Sequence, residues 1–288
     1  MIVRLTIFFI SLFSCELIFS NTVKKKFYIN RGTFTTVKNT TFPFVALNKD
    51  TSFNQLNEVI IVNTDDTLSL VIVNHDYEPH GFSVKNTGIS FSAFNPGDSI
   101  QFELTSSNHA AFVYYDQFQY PKFRYLGLSG IIYFRPDNLN HAYFWNIKEH
   151  QTGYSHTLAA GGNVNWNQYQ PDYYTINSKS FPDLQIDSLA KINAHVGDTV
   201  YIVAANTGQS AHSLHFHGFH TKAIYADAKN LKSGWDKDTW GMLSMDILVL
   251  KMVPDKPGSY SVHDHNLVAI SGGNTHPNGM FTIMTISP

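Results

Sequence analysis

His215 and His217 flank Phe216, and His263 and His265 flank Asp264. Alternate residues of a β-strand share a face, so each pair would present two imidazoles on one side. If the two strands are neighbours, four imidazoles converge, a donor set that suits copper, zinc, iron or nickel. Asp264 points away from its flanking histidines, and His212, three residues before His215, falls on that opposite side. Buried imidazoles without a metal each need hydrogen-bond partners, which favours ligation for His215, His217, His263 and His265 as the main site. For His212 and Asp264 two readings stand. One is a hydrogen-bonded pair. The other, with His276, is a two-histidine, one-carboxylate set able to hold iron or another divalent ion. No residue stands out as catalytic.

The elements that must position these residues are β-strands. Period-two runs such as Thr67–Val73, Ser99–Leu104, Ala111–Tyr115 and Gly130–Phe134 alternate with turn signals at Asn95-Pro96-Gly97-Asp98 and Arg135-Pro136-Asp137. No amphipathic helix longer than two turns is legible. The pattern predicts an all-β chain of sandwich domains. The order also repeats: Gly197–Asn206 echoes Asp65–Asn74, and Gly279–Met284 echoes Leu128–Tyr133. Two tandem copies of one sandwich follow, residues 21–137 and 168–288, with the polar stretch 138–167 as the connector.

The 288 residues carry a formal net charge of −2. No basic face suggests nucleic acid; the run Lys24-Lys25-Lys26 reads as a solvated start to the mature chain. Residues 1–20 read as a signal peptide, with Arg4 as the positive end and a short, interrupted apolar stretch to Phe19. A secreted, periplasmic or cell-surface protein is expected, with no transmembrane segment in the mature chain. The sole cysteine, Cys15, lies in this segment and is an alternative lipid-anchor site. Cleavage leaves no disulfide and no thiolate for metal binding.

His212-x-x-His215-x-His217-Gly218 and His263-Asp264-His265, followed by His276 and Gly279-Met280, resemble the closing motifs of the two-domain multicopper oxidases, built from cupredoxin-like (plastocyanin-like) Greek-key domains. The likeness covers nearly all of the mature chain and is strongest from Asp172 onward. It implies copper, with His215, His217, His263 and His265 as half of a trinuclear cluster. It also implies a homotrimer, since such relatives build that cluster between subunits. His212, His276 and Met280 would belong to a blue copper site whose thiolate would stand at 264. Asp264 stands there instead, and a hard carboxylate lacks the covalency that makes a thiolate an electron conduit. In the first domain, Glu78-Pro79-His80-Gly81 aligns with the family's His-x-His-Gly, leaving His80 as a further ligand or a surface loop residue, and Tyr115-Asp116-Gln117 aligns with a His-x-His. Met280 reads as core. His141, His150, His156, His195 and His220 read as surface or loop residues.

Three functions are consistent with these residues: a copper-binding protein, an active copper-dependent oxidoreductase using oxygen, or a vestigial module serving structure or interaction. Binding ranks first, because without the thiolate the entry point for electrons is gone.

Overall fold

A computed structural model describes residues 21–136, 141–228 and 231–288. The segment 1–20 expected to be a signal peptide, with Cys15, and residues 137–140 lie outside these. Among the described residues no helix is long and apolar enough to cross a membrane.

The chain is all-β, as the alternation predicts. The first half contributes β1 (Thr22–Thr35), β2 (Thr41–Asn48), β3 (Ile60–Asn63), β4 (Thr67–Asn74), β5 (His80–Val84), β6 (Ser90–Phe94), β7 (Ser99–Thr105), β8 (Ala110–Tyr115) and β9 (Ser129–Arg135). The second contributes β10 (Ala142–His150), β11 (Tyr173–Ile176), β12 (Asn193–His195), β13 (Val200–Asn206), β14 (His212–Phe216), β15 (Thr221–Asp227), β16 (Asp236–Lys237), β17 (Thr239–Met242), β18 (Ile247–Met252), β19 (Gly258–Asp264) and β20 (Phe281–Ser287). The sheets run β2-β1-β4-β7 and β3-β9-β8-β5-β6 in one half, and β11-β10-β13-β18-β15-β16 and β12-β20-β19-β14-β17 in the other.

These orders are one topology used twice. β1 runs parallel to β4 and antiparallel to β2, as β10 does to β13 and β11. β3 runs parallel to β9 as β12 does to β20. Each domain buries its own apolar layer between its two sheets, around Ile29, Leu70, Phe82 and Tyr114 in one and Trp145, Ile202, Leu214 and Met284 in the other.

The connector reading of 138–167 is corrected by this topology. Ala142–His150 is a sheet strand hydrogen-bonded on both sides, and Thr152–Ala159 forms the short helix α2. The second domain therefore begins near residue 141. Tyr143, Trp145 and Ile147 of β10 enter its core, an apolar spacing hidden in the sequence by the Asn- and Gly-rich surroundings.

The domains join through a separate apolar layer. Ala111, Val113, Ile131 and Tyr133 pack against Phe144, Val203, Ala205, Ile247 and Val249. Arg124, in the helical turn α1 (Lys122–Tyr125), crosses the junction: its Nη1 donates to the carbonyls of Thr207 and Gly208 at 2.8 Å and to Ser244 Oγ at 3.1 Å. Lys148 Nζ donates to Arg124 O at 2.6 Å and Ser129 Oγ at 2.7 Å. Burial, then the nearby Arg124 charge, push its amine well below the usual lysine range.

Candidate metal centre

β14 and β19 are adjacent and antiparallel, with Leu214 opposite Asp264, His215 opposite His263, and Phe216 opposite Val262. Burial alternates along both strands: Leu214, Phe216, Val262 and Asp264 are inside, while His215 and His263 are partly exposed on the outer face. The ladder extends past the strand ends, with His265 N donating to Ser213 O at 2.7 Å and His217 N to Ser261 O at 3.0 Å. His217 and His265 are exposed. Gly218, at φ 82°, turns the chain beside His217, and a Cβ there would fall 2.5 Å from the Tyr260 ring.

All four predicted imidazoles therefore share one open face. Ring centroids lie 4.6 Å apart for His215–His217, 5.1 Å for His217–His263, 5.3 Å for His215–His265 and 5.6 Å for His215–His263. His215 Nδ1 bonds Thr239 Oγ1 at 2.8 Å, and His263 Nδ1 lies 2.8 Å from Asp264 O. Those bonds fix ring orientation and leave Nε2 of each outward, a pattern metal-ligating histidines use. His217 Nε2 and His263 Nε2 face each other at 3.0 Å. Two nitrogens each about 2.0–2.1 Å from one ion are separated by about that distance at a near-right angle, so the pair fits a shared metal ion. Burial and then the neighbouring His215 and His263 hold the His217 ring below the usual imidazole pKa, which keeps a lone pair available. Among the described residues no three His, Cys, Asp or Glu groups are already closed around one point; ring rotation is needed to bring the other two nitrogens in.

Under the sheet the arrangement differs from the two-histidine, one-carboxylate expectation. His212 Nδ1 meets Asp264 Oδ2 at 2.6 Å and its Nε2 meets Glu149 Oε2 at 2.9 Å, with all three side chains buried. Both ring nitrogens are thus occupied. His276 is exposed and Met280 is fully buried core. The hydrogen-bonded reading of His212 and Asp264 is the one the geometry favours. Burial alone would lower the His212 pKa, but the bonds to Asp264 and Glu149 and their charges raise it to about 9. For Glu149, burial would raise the pKa, but His212 and the N–H groups of Ser210 and Gln209 lower it to about 2. Glu149 could not be found from the motifs, because it lies on β10, in the stretch read as a connector.

His80 is neither a surface residue nor a neighbour of the four. It is fully buried, with Nδ1 on Asp116 at 2.6 Å and Nε2 on Asp76 at 2.7 Å. The strand register also corrects the alignment made from sequence. Ser83 lies opposite Tyr115 as His215 lies opposite His263, and Lys85 N donates to Val113 O as His217 N does to Ser261 O. The first-domain counterparts of the four histidines are therefore Ser83, Lys85, Tyr115 and Gln117, and His80 is the counterpart of His212. Lys85 ties the domains together instead, donating to Met245 O at 2.8 Å. His150 is likewise no surface residue. It is buried among Phe34, Phe42, Phe44 and Tyr125, without a hydrogen-bond partner on either nitrogen.

Residues 155–277 match the family model of the multicopper oxidases. No curated protein matches the sequence. Among solved structures, the chain is similar to a blue copper oxidase from Nitrosomonas europaea at 19% identity, covering 92% of this chain and 86% of that one with a TM-score of 0.78. It is similar to the multicopper oxidase mgLAC at 18% identity, 92% and 86% coverage and a TM-score of 0.76. A copper nitrite reductase from Nitrosomonas europaea shares 17% identity over 93% of this chain and 94% of that one, with a TM-score of 0.71. The chain thus has the two-domain, cupredoxin-like fold of these copper proteins, and its residues 155–277 carry the multicopper oxidase match.

Proposed function

We propose that the protein binds copper through His215, His217, His263 and His265 and holds it without a blue copper centre. The observation that carries this reading is the register pairing of His215 with His263, which sets four outward imidazoles on one face with rings about 5 Å apart. The multicopper oxidase match over 155–277, which includes all four, supports copper over the other metals that imidazole accepts. Copper bound here would supply a Lewis-acidic, redox-active ion. The chain's own contribution is to orient two of the rings through Thr239 and the Asp264 carbonyl, and to leave the outer side open to solvent or a ligand.

Holding copper is favoured over oxidase turnover. The resemblance would put a thiolate at position 264, and the carboxylate there is engaged inward with His212. The counterparts in the first domain, Ser83, Lys85, Tyr115 and Gln117, supply no imidazole to complete a larger cluster. The N-terminal segment supports export of the protein. A homotrimer is what the resemblance implies; the first domain's β3-β9-β8-β5-β6 sheet is covered by the second domain, while the corresponding sheet of the second domain presents the histidines on an open face that a neighbouring subunit would cover.

Metal analysis of protein loaded with copper and then desalted tests the reading. At least one equivalent is expected, falling on His215→Ala and His263→Ala. Less than one equivalent, unchanged by these substitutions, ends it. Oxygen uptake with a phenol as reductant separates holding, which gives none, from oxidation.

A further inference from the structure

His80 and His212 stand at the same point of the repeated fold, and the atoms around them repeat as well. Asn74 and Asn206 close β4 and β13. The Oδ1 of each accepts the N–H two residues on, from Asp76 at 3.0 Å and Gly208 at 3.1 Å. The Nδ2 of each donates to the carbonyl four residues on, Glu78 at 2.9 Å and Ser210 at 2.8 Å. Asp116 and Asp264 each meet the histidine Nδ1 at 2.6 Å. Each also accepts the N–H following that histidine, from Gly81 at 2.9 Å and Ser213 at 3.1 Å, and the N–H two residues past itself, from Phe118 and Asn266.

Only the partner of Nε2 differs. In the first domain it is Asp76, which Arg31 of β1 bonds at 2.9 Å. In the second domain Gly208 replaces Asp76. Glu149 replaces Arg31, two residues beyond the strand residue paired with Asn206, as Arg31 is beyond that paired with Asn74. A Cβ on Gly208 would fall 1.9 Å from Glu149 Oε2, so the carboxylate occupies the space that the glycine leaves.

These triads sit under different surfaces. Asp264 is the last residue of β19 and lies between His263 and His265. Its own N–H makes a 3.3 Å bond to Met280 O, and its side-chain bonds to His212, Ser213 N and Asn266 N add to the His265 N–Ser213 O ladder bond in holding this strand end. We infer that Glu149 and His212 are positioning residues for the four-histidine site: they lock Asp264 beneath the sheet and thereby set where His263 and His265 stand relative to His215 and His217. This inference rests on the copper reading above. The first domain provides a built-in control, because the same triad there underlies Tyr115 and Gln117 rather than histidines.

Copper affinity by competition titration and the Cu(II) electron paramagnetic resonance spectrum, measured on folded full-length variants, test it. Glu149→Ala should weaken copper binding by about tenfold or more and alter the spectrum, as loss of a residue supporting metal ligands does. Asp76→Asn should leave both unchanged although it breaks the equivalent triad. Combining Gly208→Asp with Glu149→Arg transplants the first domain's Asp76–Arg31 pair and should restore affinity and spectrum. If Glu149→Ala does not fold, Gly208→Ala, which displaces the carboxylate without removing it, takes its place. Wild-type affinity in the variant displacing or removing Glu149 overturns the inference, and so does an equal loss in Asp76→Asn. Absence of copper binding by the wild-type protein ends the copper reading itself and this inference with it.

Discussion

His212 and Asp264 are joined at 2.6 Å from Nδ1 to Oδ2, fully out of solvent, and the first domain repeats this bond at the same length between His80 and Asp116. Buried charges persist in proteins when paired and hydrogen-bonded. In the second domain the imidazolium lies between two carboxylates, with Glu149 closing the other side. In the first, Asp76 does so, its pKa lowered to about 2 as the bonds to His80 and Arg31 outweigh the opposing effect of burial.

Stability should therefore depend on pH at both ends. The His212 pKa is raised from 6.5 to about 9, so its contribution is complete below the unfolded value and is lost as pH rises through about 9. A tenfold change in proton affinity is worth about 1.4 kcal/mol, which makes this on the order of 3 kcal/mol. Glu149, lowered from 4.5 to about 2, contributes above its unfolded value and loses that contribution as pH falls through about 2. Thermal unfolding should show a falling Tm between pH 7 and 9 in wild type, and a flatter alkaline limb in His212→Gln. An unchanged alkaline limb would contradict the triad's ionised state.

Copper binding should weaken with acid, because each ligating imidazole must shed its proton. Titration at decreasing pH should show affinity falling progressively as protons compete with the metal for the imidazoles. The loaded protein should lack the intense charge-transfer absorption near the red end of the visible spectrum that a copper thiolate gives. The only cysteine is Cys15, and Asp264 offers oxygen alone. Observation of that band would refute the ligand set.

His150 weakens the fold. Burial, with the nearby Lys148 charge, lowers its pKa to about 3, so it stays neutral, yet neither ring nitrogen has a partner. An unsatisfied buried polar group costs about 1–3 kcal/mol. His150→Leu fills a similar volume among Phe34, Phe42, Phe44 and Tyr125 and should raise the urea midpoint by the equivalent of about 1 kcal/mol, with the m-value unchanged.

Arg124 holds the domain junction. Arg124→Met keeps the aliphatic stem but removes the donors to Thr207 O, Gly208 O and Ser244 Oγ. Hydrogen bonds to charged groups contribute about 1.5–3 kcal/mol each, and the orphaned carbonyls add a penalty, so a loss of about 3 kcal/mol is expected in chemical denaturation. The Thr207–Ser210 loop also bonds Glu149. Copper affinity should therefore fall in the same variant, while a distant surface change such as Lys38→Ala should alter neither.

Local pattern settled much of this protein. Strand periodicity predicted β-rich, repeated halves over residues 21–137 and 168–288, because a half-buried strand must alternate. The same two-residue period determined that His215 and His217 share one face, that His263 and His265 share one, and that His212 and Asp264 turn the other way. What it could not determine was pairing between residues far apart in the chain. β10 reads as a polar connector, yet its alternation Tyr143, Trp145, Ile147 fills the second core and its Glu149 completes the His212 triad. His80 sits beside a glycine in a familiar-looking motif, and only strand register shows that its counterpart is His212 while Ser83 and Lys85 stand where histidines do in the second domain. His150 carries no signal of burial, since its surroundings of Phe34, Phe42 and Phe44 come from more than a hundred residues upstream. Side-chain direction is a local property of the backbone. The partner each side chain meets is fixed by long-range sheet register, and that exists only once the chain has folded.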